Sequence, residues 1–165
     1  MVEKYMIMDF VKIKKDGIVD FSELYRSTKK FLEDYGFLKS EHTLEKKYIE
    51  RKKPDGVKQL EIAWYAEKKI SGFFKYVIKI WFLVIGMTDV ELQQGNIKRK
   101  LQKGSFEIRM DAYIETDKSW DKISGLKKIY LNLIIPKRLE EYKIDLEDKS
   151  YKIHTFIKEV MGVRD

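Results

Sequence analysis

The sequence contains no cysteine and only two prolines and two histidines among its 165 residues. Without cysteine there can be no disulfide, no thiolate nucleophile and no cysteine-based zinc site. The protein therefore does not require an oxidising extracellular environment. Long apolar runs are also missing. The most hydrophobic segment, Phe73 to Met87, contains Lys75 and Lys79 and falls short of the ~20 apolar residues that a spanning helix needs. The apolar stretch Tyr5–Met8 meets Asp9 before a secretory signal could form, so we expect a soluble, cytoplasmic protein.

Arginine is scarce as well, although the chain is basic. Charged residues make up 37% of the sequence, the formal net charge is +7, and lysines outnumber arginines by 28 to 6. Arginine reads phosphates and guanine edges through paired hydrogen bonds, whereas lysine supplies a point charge. The composition therefore indicates general surface charge more than base recognition.

Catalytic and nucleotide-binding motifs are missing too. The sequence has no Gly-rich dinucleotide loop, Walker loop, zinc-protease helix, nucleophile elbow or EF-hand spacing. His42 and His154 belong to no recognisable ligand or catalytic motif, so we expect structural or surface roles for both. Several carboxylates are interleaved with lysines and are expected to form weak exposed ion pairs: Glu140, Glu141, Asp145, Glu147 and Asp148. We predict no catalytic residue, no cofactor and no metal, which favours a binding protein over an enzyme.

The first part of the chain predicts a strand followed by a helix. Residues Tyr5 to Ile13 are typical of a strand, and Lys15-Asp16-Gly17 predicts a turn after it. Asp20 is a good N-cap with Glu23 three residues later, which is a variant of the capping box. Apolar residues then recur at helical spacing until Gly36, where we expect the helix to stop.

A series of strand patterns follows the helix. Their short connections require antiparallel neighbours, because a parallel pair needs a crossover of about a dozen residues. Gln94-Gly95-Asn96 is a plausible hairpin loop between two short strands. The predicted strands are His42 to Arg51, Val57 to Lys68, Phe73 to Ile85, Val90–Leu92, Ile97–Leu101 and a last strand with Phe106, Ile108, Met110, Ala112 and Ile114 on one face.

The C-terminal part is predicted to be helical. One helix is expected over Ser119 to Leu133 and another from near Pro136, with a break or bend around Lys143 to Asp145. The first is expected to place Trp120, Ile123, Leu126 and Ile129 in the core. A later apolar stripe ends at Gly162 and comprises Leu146, Ile153, Phe156, Ile157, Val160 and Met161.

These elements predict a single α+β domain over residues 1–165. It would hold an antiparallel β-meander of about five to seven strands, one N-terminal helix inserted after the first strand, and one or two C-terminal helices. The order is similar to the helix-grip arrangement, in which a curved sheet wraps a terminal helix around an apolar cavity. Fold alone does not carry function.

Two runs carry a resemblance to known sequences. DFSELYRSTKKFLEDYGF (Asp20–Phe37) and LQKGSFEIRMDAYIETD (Leu101–Asp117) resemble segments in a family of small uncharacterised archaeal proteins. The resemblance spans much of the chain. It implies an archaeal relationship but no active-site motif and no activity.

The strand Phe73 to Ile85 is the most informative candidate site. Its even-numbered side chains form a continuous core set, while the other face is polar at its start and apolar at its end, with Trp81, Leu83 and Ile85. A strand that is apolar on both faces must be covered on both. Either one of the chain's own helices covers this face, or a second copy, another protein or a membrane surface docks there. We favour a non-enzymatic binding or assembly module with a protein partner.

Two alternatives remain open. A helix-grip protein could carry an apolar small molecule in an enclosed cavity of roughly 300–1,000 Å³. A lysine-rich strand could follow the phosphate backbone of RNA or DNA, although lysines also guard exposed sheet edges against unwanted pairing. The candidate nucleic-acid contacts are Lys98, Arg99, Lys100 and Lys103.

Overall fold

The computed structural model describes residues 3–37, 44–116 and 125–163. Five strands form one sheet, with neighbouring strands in the order β1-β5-β4-β3-β2, and every pair of neighbours is antiparallel. The elements are β1 (Lys4–Val19), α1 (Phe21–Asp34), β2 (Glu45–Lys52), β3 (Lys58–Lys69), β4 (Phe74–Gln94), β5 (Ile97–Thr116) and α2 (Leu126–Met161). The predicted α+β class is confirmed, as are the helix after the first strand and the C-terminal helix.

Helix α1 forms where its capping pattern predicts. The Asp20 side chain accepts a hydrogen bond from the Glu23 backbone N–H at 3.0 Å, which satisfies one of the free donors of the first turn. The buried side of the helix consists of Phe21, Leu24, Thr28 and Leu32. After the helix, Gly36 adopts a φ of +81°, a left-handed conformation that glycine takes at little cost.

The core lies between one face of the sheet and the two helices. Its largest fully buried side chains include Trp64, Tyr76 and Phe82. Trp64 and Phe82 make an edge-to-face contact with ring centroids 4.7 Å apart, and Phe21 of α1 contacts Phe82 at 6.2 Å. Burying each such ring stabilises the fold by about 1.5–3 kcal/mol. These rings occupy the space between sheet and α1 where a helix-grip cavity would lie.

The predicted turn at Lys15-Asp16-Gly17 is wrong. Strand β1 continues through these residues to Val19. Gly17 is paired directly with Gly104 of β5, so the ladder to a distant strand overrides the local turn signal of Asp-Gly.

The two short strands predicted around Gly95 are parts of long ones. β4 has 21 residues and β5 has 20, and the hairpin between them lies at the predicted place, with Gly95 at φ +61°. Between Ile85 and Thr88 the register shifts by one residue. This bulge, at Gly86, marks where the hairpin leaves the main sheet. We call residues 90–101 the hairpin arm.

The C-terminal region is one helix, α2, with 36 residues and Pro136 inside it. It continues through Lys143 to Asp145, so the helix has no break at the place where the sequence predicts a break or bend. The prediction that Leu126 and Ile129 lie in the core is also wrong, because Leu126 is 85% exposed and Ile129 is 60% exposed. Ser119, Trp120 and Ile123 lie outside the described residues. The predicted later stripe is confirmed by burial of Leu146, Ile153, Ile157 and Met161.

Candidate interaction face

The two faces of β4 have different surroundings. Both helices pack on its even-numbered side: Tyr142 of α2 contacts Phe74 at 5.9 Å, and the Tyr76 hydroxyl donates to Asp145 of α2 at 2.8 Å. The odd-numbered side chains, Trp81 among them, point to the opposite side because side chains alternate along a strand. We call this side the open face.

A β-bulge in β1 places Phe10 on the open face. Asp9 and Phe10 together oppose the single residue Asp111, since Met8 pairs with Ala112 and Val11 with Met110. Phe10 has a φ of +49°, which is uncommon for a residue other than glycine. Its backbone N–H donates to the buried Asp111 carboxylate at 2.7 Å. The bulge thus aims the side chain at β4.

The ring of Phe10 lies over Trp81. The two ring centroids are 5.5 Å apart and the ring planes differ by 15°. Trp81 and Leu83 are half-buried, whereas Phe10 is 51% and Ile85 52% exposed. These four residues form what we call the apolar patch. Beside it lies a recess of about 260 Å³ whose lining includes Phe10, Trp81, Leu83, Ala63, Lys47, Glu61 and Arg109.

The rim of the apolar patch carries charges of both signs, already paired. Arg109 makes contacts of 2.8 and 3.0 Å with the Glu107 carboxylate, and Lys14 lies 3.3 Å from it. Burial acts to raise the pKa of Glu107, but hydrogen bonds from Lys14 and Arg109 outweigh it and lower the pKa. Lys47 and Glu61 form a second pair at 3.0 Å.

The other part of the open face is covered by lysines lying over tyrosines. The Lys79 ammonium group lies 5.8 Å from the Tyr65 ring and 5.6 Å from the Tyr113 ring, and Lys4 lies 4.9 Å from Tyr113. The stems of such lysines cover apolar surface while their charges stay in water. Tyr113 is buried, and this burial is the main cause that raises its pKa to about 12. These contacts cover the rings of Tyr65 and Tyr113, whereas Met6, which pairs with Tyr113, is 46% exposed.

Sequence reasoning selected Trp81, Leu83 and Ile85 but missed Phe10. A signal was present: Ile7-Met8 and Phe10-Val11 are two adjacent apolar pairs, which break the period of two expected of a regular strand. Such a break indicates a bulge. The direction of the ring depends on Asp111, which is distant in the sequence.

The predicted nucleic-acid contacts lie on or next to the hairpin arm and do not act as one free cluster. Arg99 lies 3.1 Å from Asp20, and Lys100 lies 3.4 Å from Asp89. Lys98 and Lys103 are exposed. Association with RNA or DNA through these residues stays a prediction.

Next to the base of the arm is an open cleft of about 680 Å³, which the sequence did not indicate. Its wall includes the buried Gln102, whose side-chain oxygen accepts a hydrogen bond from the Phe21 N–H at 2.9 Å. The lining combines apolar and charged side chains: Phe21, Tyr25, Tyr48, Leu60 and Met87 with Arg26, Lys58, Arg99, Lys100, Asp20, Glu50 and Asp89.

Together these features define a two-layer α+β protein with an antiparallel sheet and both described helices on one side of it. Within the described ranges, no three histidine, aspartate or glutamate side chains are grouped so that they could hold a metal ion. None of the described helices is both long and apolar enough to cross a membrane. Comparisons with protein-family models, with curated proteins and with solved structures find no match for this chain.

Proposed function

We propose that this protein is a non-enzymatic assembly module that binds a second copy of itself through the apolar patch. One observation carries the proposal. A half-exposed Phe10 is held in an unfavourable backbone conformation so that its ring stacks on Trp81, on a face against which neither described helix packs. An aromatic pair kept at the surface in this way suits a binding contact better than a core.

The composition of the patch supports a protein partner. Protein interfaces combine an apolar, aromatic centre with a polar rim, and arginine and tryptophan are enriched among the residues that dominate binding. Here Trp81 and Phe10 form the centre, and Arg109 lies on the rim. Nucleic acid would favour a rim of one sign, whereas this rim pairs Arg109 with Glu107 and Lys47 with Glu61.

The mixed charges of the rim support a second copy as the partner. In a two-fold symmetric dimer the same patch meets itself, so a rim with both signs can place cations opposite anions. The net charge of +7 opposes association. This repulsion is screened beyond ~8 Å at physiological salt. Association of the two copies then depends mainly on burial of the apolar patch.

Light scattering after size exclusion, from low to high micromolar protein, tests this proposal. We expect a dimer that the Phe10→Asn substitution weakens at least about tenfold, equivalent to about 1.4 kcal/mol. Leu92→Asn is the matched control, because Leu92 is an exposed apolar residue on the hairpin arm. A wild-type monomer throughout, or equal effects of the two substitutions, would contradict the proposal.

A second candidate, the carrier of an apolar ligand, is supported by the cleft at the base of the arm. Its 680 Å³ volume lies within the ~300–1,000 Å³ common for ligand sites, although the filled core would confine a ligand to this open cleft. Isothermal titration with a long-chain fatty acid tests it. We expect saturable binding that Tyr48→Ala weakens, and absence of saturation would exclude this ligand class from the cleft.

Two expectations from the sequence accompany these proposals. We infer a cytoplasmic location from the missing cysteine and the charged surface, and an archaeal relationship from the resemblance of residues 20–37 and 101–117. Fractionation of cells that express the protein checks the first.

A further inference from the structure

The described side chains in the first nine residues of α2 lie outside the core. Ile135 is the first buried residue among the described side chains of this helix, and the described side chains before it are exposed or half-buried. At 1.5 Å per residue this segment is about 13 Å long. We call residues 126–134 the overhang.

The overhang exposes three aliphatic side chains on one side of the helix. Leu126, Ile129 and Leu133 are 85%, 60% and 77% exposed, and their spacing of three and four residues aligns them along one stripe. Leucine and isoleucine are usually buried. Three exposed aliphatic side chains along one side of a helix are typical of an interaction surface.

The charge of this region is of one sign. Residues 126–139 contain Lys127, Lys128, Lys137 and Arg138 and no aspartate or glutamate. Acidic residues begin at Glu140 and then recur along the helix, where several pair with lysines. The cationic stretch thus includes the overhang and the five residues that follow it.

We propose that the overhang binds the surface of an anionic lipid bilayer. A helix with an apolar stripe and flanking lysines lies in the plane of the interface, with the stripe at the boundary of the acyl chains. Lysines near the membrane are attracted by anionic headgroups. The helix would lie on the bilayer without crossing it, in keeping with the absence of a spanning helix among those described.

The chemistry of the overhang favours lipid over protein or nucleic acid. A protein partner would call for the mixed rim that surrounds the apolar patch, and contacts to nucleic-acid phosphates would not bury an aliphatic stripe. The exposed side chains of Leu126, Ile129 and Leu133 are aliphatic, and the charged residues within 126–139 are all cationic. The overhang belongs to the helix layer, so this proposal is independent of self-association through the open face.

Flotation of the full-length protein with lipid vesicles tests the proposal. Phosphatidylcholine vesicles are compared with vesicles that also contain phosphatidylglycerol, at low and at physiological salt. We expect binding to the anionic vesicles alone, weaker at physiological salt because the charges are screened. Replacement of Leu126 and Leu133 together by Asn should reduce binding at least about tenfold, since it removes the inserted stripe.

Two further variants separate this surface from others. Ile97→Asn removes an exposed apolar side chain of the hairpin arm and should leave binding unchanged. Lys128→Glu with Lys137→Glu should abolish the preference for anionic lipid. Thermal unfolding verifies that each variant folds, which we expect because the altered side chains are exposed. No vesicle binding by the wild type, equal binding to both compositions, or full binding by the Leu126/Leu133 variant would overturn the proposal.

Discussion

At the scale of single residues, Phe10 has an unfavourable backbone conformation, and its side chain makes a favourable contact in that conformation. A left-handed backbone costs an L-residue roughly 1–2 kcal/mol. The stack on Trp81 and the hydrogen bond to Asp111 offset this cost. Asparagine adopts the same conformation more readily than other residues.

This balance predicts an unusual order of stability. Phe10→Ala removes the stack and keeps the strain, whereas Phe10→Asn removes both. We expect the Asn variant to be more stable than the Ala variant by about 0.5–1 kcal/mol. Urea unfolding of both proteins measures the difference. An Ala variant as stable as the Asn variant would show that Phe10 is not strained.

Gly104 illustrates a steric constraint, because a side chain at this position would contact the neighbouring strand. A Cβ at this position would lie 3.1 Å from the Ile85 carbonyl oxygen and 3.2 Å from the Met87 Cα. Both are backbone atoms at the bulge, which would have to shift by a few tenths of an ångström to accept the methyl group. We expect Gly104→Ala to lower the free energy of unfolding by about 1–3 kcal/mol.

The control for Gly104 is another glycine with open surroundings. Nothing lies within 4 Å of a Cβ added to Gly72, so Gly72→Ala should change stability by no more than about 0.5 kcal/mol. Similar losses in the two variants, measured by thermal or urea unfolding, would contradict the tight fit of the strands at the bulge.

At the scale of elements, Asp20 joins α1 to the hairpin arm. It caps the helix through the Glu23 N–H and pairs with Arg99. Asp20→Ala should cost about 1 kcal/mol, since the cap is lost. Asp20→Asn keeps the capping oxygen, and the lost ion pair is partly exposed, so its cost should be below about 0.5 kcal/mol. Equal costs in urea unfolding would assign the effect to the ion pair.

The elements that the sequence predicts well are those with local causes. The cap and stop of α1 lie next to the helix in the sequence, and the alternation of Phe106 to Ile114 directly marks the buried face of β5. The strand containing Trp81 was likewise selected because its two faces differ in composition. Local patterns are sufficient for these features.

Features that depend on distant partners were not predictable. The Asp16-Gly17 pair indicates a turn when only the local sequence is considered, but Gly17 pairs with Gly104 of a distant strand. Leu126 and Ile129 have the spacing of core positions, but both are exposed in the structure. Pro136 reads as a helix start, yet α2 continues through it. The candidate site needed Phe10, whose direction is set by Asp111.

At the scale of the whole molecule, the buried tyrosines make the fold sensitive to alkali. The pKa of Tyr113 is raised to about 12, mainly by burial, from an ordinary value of 10.0. Between these values the unfolded chain loses the phenolic proton while the folded chain keeps it. The stabilising contribution is therefore complete below pH 10 and decreases as the pH rises toward 12.

Unfolding in urea across a pH series from neutral to about 12 measures this effect. The wild type should lose stability steadily above pH 10. Tyr113→Phe should show a shallower loss, because one titrating group is removed. Tyr5, whose pKa is raised to about 12 chiefly by its hydrogen bond to Glu3, leaves a residual slope. Identical slopes in wild type and variant would contradict the assignment to Tyr113.

The pairing of β1 with β5 has a consequence for the time course of folding. Val19 pairs with Gln102 and Lys4 with Glu115, so the first strand of the chain finds its partner only after most of the chain exists. Closing such a long loop is entropically unfavourable, and folds dominated by distant contacts form slowly. During synthesis on the ribosome, β1 has no partner strand and can pair with strands of other chains. Its lysines, Lys12 and Lys14 among them, disfavour pairing with other chains. They protect the nascent chain from aggregation in this way, and later the exposed edge of the folded sheet.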